Sequence, residues 1–183
     1  GIMTLVQDGR VSLADTVDRY IPGVPAAWRV ITIRQLLSHT GGLMREGPGW
    51  TPPSTSDLEV IRSAYGAPLR STPGTKWEYS NLGYTILAEI MARVSGRPWP
   101  EFVAERVFRP AGLLATRATS LERQPGSAAG YSDNDLLKDA AEWPTVRPGG
   151  GFMSSVLDLA KWDAVPYGNS VPSEASRREM WSA

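Results

Sequence analysis

The side chains best placed for chemistry in this sequence are Tyr79, Ser80 and Asn81. They follow the turn signal Pro73-Gly74 and stand just before a long apolar-periodic segment. A phenol, a hydroxyl and an amide at a loop-to-helix junction form a compact polar set, which the helix behind it can aim. The plainer reading is that Ser80 or Asn81 only caps that helix. A phenol has a reference pKa of about 10, so general-base work near neutral pH requires help. Lowering it by about three units takes roughly 4 kcal/mol of differential stabilisation of the phenolate. One exposed lysine such as Lys76 cannot supply that, whereas closely packed cations could.

Other nucleophile contexts are missing from the sequence. It has no G-x-S-x-G elbow, H-E-x-x-H, P-loop or G-x-G-x-x-G. The lysines Lys76, Lys138 and Lys161 are preceded at the third position by Pro73, Asp135 and Asp158, so no Ser-x-x-Lys occurs. A Ser-His-Asp triad would have to use His39, the single histidine. Its segment Leu36 to Leu43 reads as a helix end under a glycine turn, so His39 is expected to be structural and hydrogen-bonded. With one histidine and no cysteine, neither a metal site nor a cofactor is expected. Among the seven tryptophans, Trp50, Trp77 and Trp143 could line a substrate cleft, but buried aromatic packing is the expected role of each; Trp77 is the best cleft candidate.

The totals bound the partners. Lys+Arg and Asp+Glu are both 19, a formal net charge of zero, which argues against nucleic acid or an anionic membrane surface. Hydrophobic residues are 42% and charged residues 21% of 183, as in a soluble globular chain. No apolar run reaches the roughly 20 residues that span a bilayer. The composition does not choose a compartment.

The elements that must hold the tripeptide are mostly helical. Gly1 to Asp8 reads as a helix end stopped at Gly9, and Thr16 to Tyr20 as one or two turns. Thr32 can cap a helix from Ile33 to His39, ended by Thr40-Gly41-Gly42. Ser54, Thr55 or Ser56 can cap a helix from Asp57 to Tyr65, with Leu58 and Ile61 inward. Leu82, Ile86, Leu87, Ile90, Met91 and Val94 mark the clearest amphipathic helix, terminated by Gly96. Pro100 fits the first helical position of another, running to about Phe108 with Phe102, Val103 and Val107 buried. Thr116 to Leu121 and Ala128 to Ser132 could be short strands, and Asn134 to Pro148 reads as loop. Ser155 should cap a helix from Val156 to Asp163, with Asp158 as its capping-box partner. The pattern Glu174 to Met180 closes the chain. Both ends are expected to be cuts in a longer protein, and residues 1–183 a single partial domain.

Several blocks, in order, resemble the serine β-lactamase and penicillin-binding-protein superfamily, closest to its class C β-lactamase, D-stereospecific peptidase and carboxylesterase branch. Leu5 to Asp15 is similar to the end of the family's nucleophile helix and the connector after it. Ile31-Thr32-Ile33-Arg34-Gln35-Leu36-Leu37-Ser38-His39-Thr40-Gly41-Gly42-Leu43 resembles a characteristic family block, and Pro73 to Tyr84 resembles the Tyr-x-Asn motif with its helix. Arg109-Pro110-Ala111-Gly112-Leu113 and Gly150 to Trp162 resemble the turns and helix beyond.

The resemblance implies a fold that is mainly α with a few short strands, the helical lobe of the α/β serine β-lactamase/transpeptidase-like fold. It implies acyl-enzyme hydrolysis of a small-molecule amide or ester: a β-lactam, a D-alanyl peptide or a small ester. Tyr79 would be the catalytic phenol, assisting a serine as base or proton relay. Asn81 would hydrogen-bond the substrate amide and the lysine of a Ser-x-x-Lys motif. Ser80 would be the variable middle position. The nucleophile and the late Lys/His-x-Gly motif would lie outside this sequence, leaving the chain inactive alone and explaining the cations Tyr79 lacks. A periplasmic or extracellular setting follows by resemblance only. The alternative is a non-catalytic protein of the same fold that binds a peptidoglycan-like or protein ligand.

Overall fold

A computed structural model describes residues 1–49, 56–118, 126–128, 131–132, 135–139, 148–168 and 171–182. Its centre is the helix α5, Asn81–Ser95. Ser80 starts it: the residue is extended (φ −137°) and its hydroxyl accepts the Gly83 amide. Gly96 stops it at φ 73°, with its N–H on the Ala92 carbonyl. Leu82, Ile86, Leu87, Ile90 and Met91 repeat at helical spacing and are all buried. Burial of each such side chain contributes about 1.5–3 kcal/mol. Neighbours contact the helix from several sides: α1 (Ile2–Gln7), α2 (Val17–Tyr20), α3 (Ile33–Leu37), α4 (Asp57–Ser63) and α6 (Trp99–Val103).

Local signals fix the flanking helices. Thr32 and Gln35 form a reciprocal capping box on α3, and Ser56 and Glu59 form another on α4. Three details differ from the expectation. Helix α3 ends at Leu37, because His39 turns into the left-handed region (φ 57°) and cannot continue it. On α4 it is Val60 and Ile61 that are buried, with Leu58 only partly so. The segment after α6 continues as a π-turn, Ala104–Phe108, which still buries Val107 and Phe108, and Pro100 takes the second helical position, since α6 opens at Trp99.

The second half is thinner. Strand β1 (Arg117–Ala118) pairs antiparallel with β4 (Phe152–Met153), and β2 (Tyr131–Ser132) with β3 (Asp135–Asp139). The stretch expected to be loop from Asn134 therefore contains a strand, whose partner lies a few residues away. Helices α7 (Val156–Ala164) and α8 (Glu174–Trp181) follow. Ser155 caps α7 through the Asp158 amide, as expected. The Asp158 carboxylate does not complete a capping box; it turns instead to the Ala115 amide (2.7 Å), the Thr116 hydroxyl (3.0 Å) and Lys161 (3.2 Å). Burial alone would raise that carboxyl. The amide, the hydroxyl and the ammonium outweigh it and hold Asp158 below the usual carboxylate range. No described helix is long and apolar enough to cross a membrane.

Candidate active site

The start of α5 is clasped by two loops. Gly42 sits at φ 72°, and a Cβ there would lie 2.2 Å from the Ser71 carbonyl oxygen, so only glycine allows this turn. The turn carries residues 43–46 back to the helix terminus. There the Arg45 carbonyl accepts the Asn81 and Leu82 amides (2.8 and 3.1 Å), and the Met44 carbonyl accepts the Ser80 hydroxyl (2.7 Å). Two of the helix's orphan amides are thus satisfied by main chain 36 and 37 residues earlier. The second loop closes with Pro73 and Gly74, the latter at φ 88°, and the Thr75 amide bonds the Thr72 carbonyl (3.1 Å), the pattern of a type II turn.

Tyr79 stands at the end of that second loop, 39% exposed. Its ring is tilted on the His39 imidazole, with centroids 4.6 Å apart, and the Arg45 guanidinium lies 5.6 Å from its centroid. A guanidinium at that distance stabilises the ring by roughly 0.5–1 kcal/mol at a solvent-facing position. Asn81 is buried. Its Nδ2 donates to Glu46 Oε1 at 3.0 Å. A carboxylate only accepts, so this bond fixes which end of the amide is which. Asn81 Oδ1 is then buried with no hydrogen-bond partner among the described residues. Gly149 lies against it: a Cβ at Gly149 would sit 2.5 Å from Oδ1.

His39 is hydrogen-bonded, as the sequence suggests. Its Nδ1 accepts the Ser80 amide (3.2 Å), and its carbonyl accepts the Glu78 amide (2.9 Å). Its ring stacks on Tyr84 (5.0 Å) and meets the edge of Trp77 (6.0 Å). Burial pushes its pKa below the ordinary value, while burial, followed by the nearby Tyr79, raises that of Tyr84. Lys76 is exposed and pairs with Glu78 at 3.7 Å; Glu78 also pairs with Arg70. Trp77 is 64% exposed, not buried in packing as expected; it sits on the loop, where its one ring contact among the described residues is the edge of His39. Trp50 and Trp143 lie outside the described residues. Reasoning from sequence missed Arg45, Glu46 and Gly149. Each is distant in sequence from Tyr79 and Asn81, and only the glycine turn at Gly41-Gly42 hints at the return of 43–46.

A separate apolar cleft of about 510 Å³ opens beside α1, α5 and α6, lined among others by Leu37, Tyr84, Leu87, Trp99, Phe152 and Trp162.

The Beta-lactamase family model matches residues 1–183. The chain belongs to that family. A penicillin-binding protein of Bacillus subtilis (strain 168) is 32% identical over 206 residues, covering 100% of this chain and 45% of the relative. An octameric penicillin-binding protein homologue from Pyrococcus abyssi superposes with a TM-score of 0.83 at 27% identity, over 100% of this chain and 45% of that one. A D-stereospecific amidohydrolase from Streptomyces sp. gives 0.82 at 28% identity, over 99% and 61%. The fold of this Beta-lactamase family chain is the helix-rich lobe of the serine β-lactamase/transpeptidase fold. The chain spans about half the length of the curated relatives it matches.

Proposed function

We propose that this chain is the central part of a longer β-lactamase-type domain whose complete form is a serine hydrolase working through an acyl-enzyme on an amide or ester. In this reading Tyr79 and Asn81 belong to the active site. The observation that carries it is the Asn81 amide. Its Nδ2 donates to Glu46, and its buried Oδ1 has no partner among the described residues. An unpaired buried acceptor costs about 1–3 kcal/mol. Such a cost is tolerated where a donor arrives with a ligand or with a further segment of chain. Family resemblance names that donor as the lysine of a Ser-x-x-Lys motif, and gives the second Nδ2 hydrogen to the carbonyl of the scissile amide or ester.

The chemistry would then run in two halves. The serine oxygen attacks the acyl carbon as its proton passes to Tyr79, taken up by the phenolate or relayed through the phenol to a neighbouring lysine amine. The carbon–nitrogen or carbon–oxygen bond breaks, the leaving group takes the proton, and water later cleaves the acyl-serine. The sequence holds no serine three residues before a lysine, so the nucleophile would lie outside it and the chain alone would not turn over. Exposed apolar side chains support the larger domain: Val156, Leu157, Leu159 and Trp162 on α7 are between 41% and 81% exposed, an area that further chain would cover. The D-stereospecific amidohydrolase among the structural relatives supports a small amide substrate class.

The test is a mass measurement on the full-length protein after exposure to a penicillin and to a fluorophosphonate. A stoichiometric adduct on a serine upstream of Gly1, followed by a lysine three residues on, is the expected result. A reading frame with no upstream Ser-x-x-Lys overturns the proposal. Such a motif present but unlabelled by either probe would instead favour a ligand-binding protein without chemistry.

A further inference from the structure

The loop that presents Tyr79 is not held by its own residues. Three consecutive residues, Glu78, Tyr79 and Ser80, each touch His39. The His39 carbonyl takes the Glu78 amide at 2.9 Å, its ring lies against the Tyr79 ring at 4.6 Å, and its Nδ1 takes the Ser80 amide at 3.2 Å. The back of the imidazole is set by Tyr84 from α5 (centroids 5.0 Å), itself hydrogen-bonded through its hydroxyl to the Leu37 carbonyl (3.2 Å). This grip needs the left-handed backbone at His39, φ 57°, the one positive φ outside glycine among the described residues. A non-glycine residue there costs roughly 1–3 kcal/mol. A glycine would remove the strain together with the ring and Nδ1 contacts, keeping only the carbonyl bond to the Glu78 amide.

We propose that His39 is a positioning residue for Tyr79: its carbonyl and Nδ1 pin the amides on either side, and its ring fixes the plane of the phenol. The inference rests on the proposed role of Tyr79 in acyl transfer. It requires the neutral imidazole with its proton on Nε2, because Nδ1 must accept. Protonation would put an N–H on Nδ1 facing the Ser80 N–H, two donors in opposition, and release the loop. Tyr79 and Tyr84 are the titratable rings that face His39. The charged groups on the surrounding elements are Lys76, Glu78 and Arg70 on the loop, Arg45 and Glu46 after the glycine turn, Arg34 on α3, and the mutually paired Glu89 and Arg93 further along α5.

The experiment compares the full-length wild type with His39→Ala, His39→Asn and His39→Phe, hydrolysing p-nitrophenyl butyrate. Asn keeps an acceptor near Nδ1 and tolerates the left-handed backbone; Phe keeps only the ring. A misaimed catalytic group loses about ten- to a hundredfold. The alanine variant should therefore lose at least about tenfold in kcat with KM within about twofold. Asn should recover more of kcat than Phe, and the fall of wild-type kcat toward acid should flatten in His39→Asn. Alanine kcat within twofold of wild type, or Phe equal to Asn, overturns the inference while leaving the hydrolase reading intact. A wild type that neither turns over nor labels removes that reading and the inference with it. Should the variants fail to fold, a long-range ¹H–¹⁵N spectrum of the wild-type imidazole decides. The Nε2–H tautomer retained below the ordinary histidine pKa supports the grip, and the Nδ1–H tautomer overturns it.

Discussion

Gly149→Ala puts the packing around Asn81 under direct test. The new methyl would lie 2.5 Å from Asn81 Oδ1, 3.0 Å from its Cγ and 3.3 Å from its Cβ. Real Cβ atoms essentially never approach within 3.0 Å of another heavy atom, so something must move by at least about 0.5 Å. The Asn81 amide cannot yield freely, because Nδ2 is bonded to Glu46 and the residue opens α5 with its amide on the Arg45 carbonyl. Overpacking of this kind costs about 1–3 kcal/mol. If Asn81 has the proposed role, a shift of several tenths of an ångström in its amide should reduce turnover by about ten- to a hundredfold. Chemical denaturation and p-nitrophenyl ester hydrolysis by the full-length protein read the two effects. The cause is isolated by a double-mutant cycle with Asn81→Ala, which removes Oδ1 and Cγ. Gly149→Ala should be markedly less destabilising in that background, with a coupling of about 1 kcal/mol or more. Strict additivity, or a Gly149→Ala protein as stable and active as wild type, would refute the placement of Gly149 against the Asn81 amide.

Two further outcomes follow from the packing and the charges. Ile86→Ala empties a fully buried position on the face of α5 and should cost about 2–5 kcal/mol in urea unfolding; a cost below 1 kcal/mol would remove α5 from the centre of the core. Asp158 is held below the usual carboxylate range in the folded state, so its contribution is fully present above the unfolded value of 3.8 and is lost as pH falls through its depressed folded value. The stability gap between wild type and Asp158→Asn should therefore be constant from neutral pH down to about 4 and close below it, whereas a gap that widens on acidification would contradict the assignment.

Much of the fold was legible because its signals are local. A threonine three residues ahead of a glutamine sets α3, a serine ahead of a long apolar repeat sets α5, and Gly96 ends it. Where a tertiary contact competed with a local one, local reasoning failed. Asp158 had the spacing of a capping-box partner, yet the Ala115 amide and the Thr116 hydroxyl, some 40 residues earlier, claim its carboxylate. His39 lay on an unbroken helical pattern, but its contacts to the 78–80 stretch hold it in the left-handed region. In the candidate site, Tyr79 and Asn81 were visible as polar residues at a helix start. Glu46, Arg45 and Gly149 were not, since no periodicity or spacing links residues brought together only by the Gly42 turn and the chain's return near Gly149.

The most direct measurement of the central claim is the turnover of Tyr79→Phe in the full-length protein, beside its thermal unfolding. Removing one oxygen from a half-exposed ring leaves the contacts with His39 and Arg45 in place, so the melting temperature should stay close to that of wild type. If the phenol carries the proton for the acylating serine, kcat for ester hydrolysis should fall by about 10²- to 10⁴-fold. A variant with near-normal kcat would contradict the account and return Tyr79 to the role of an ordinary tyrosine beside a helix cap.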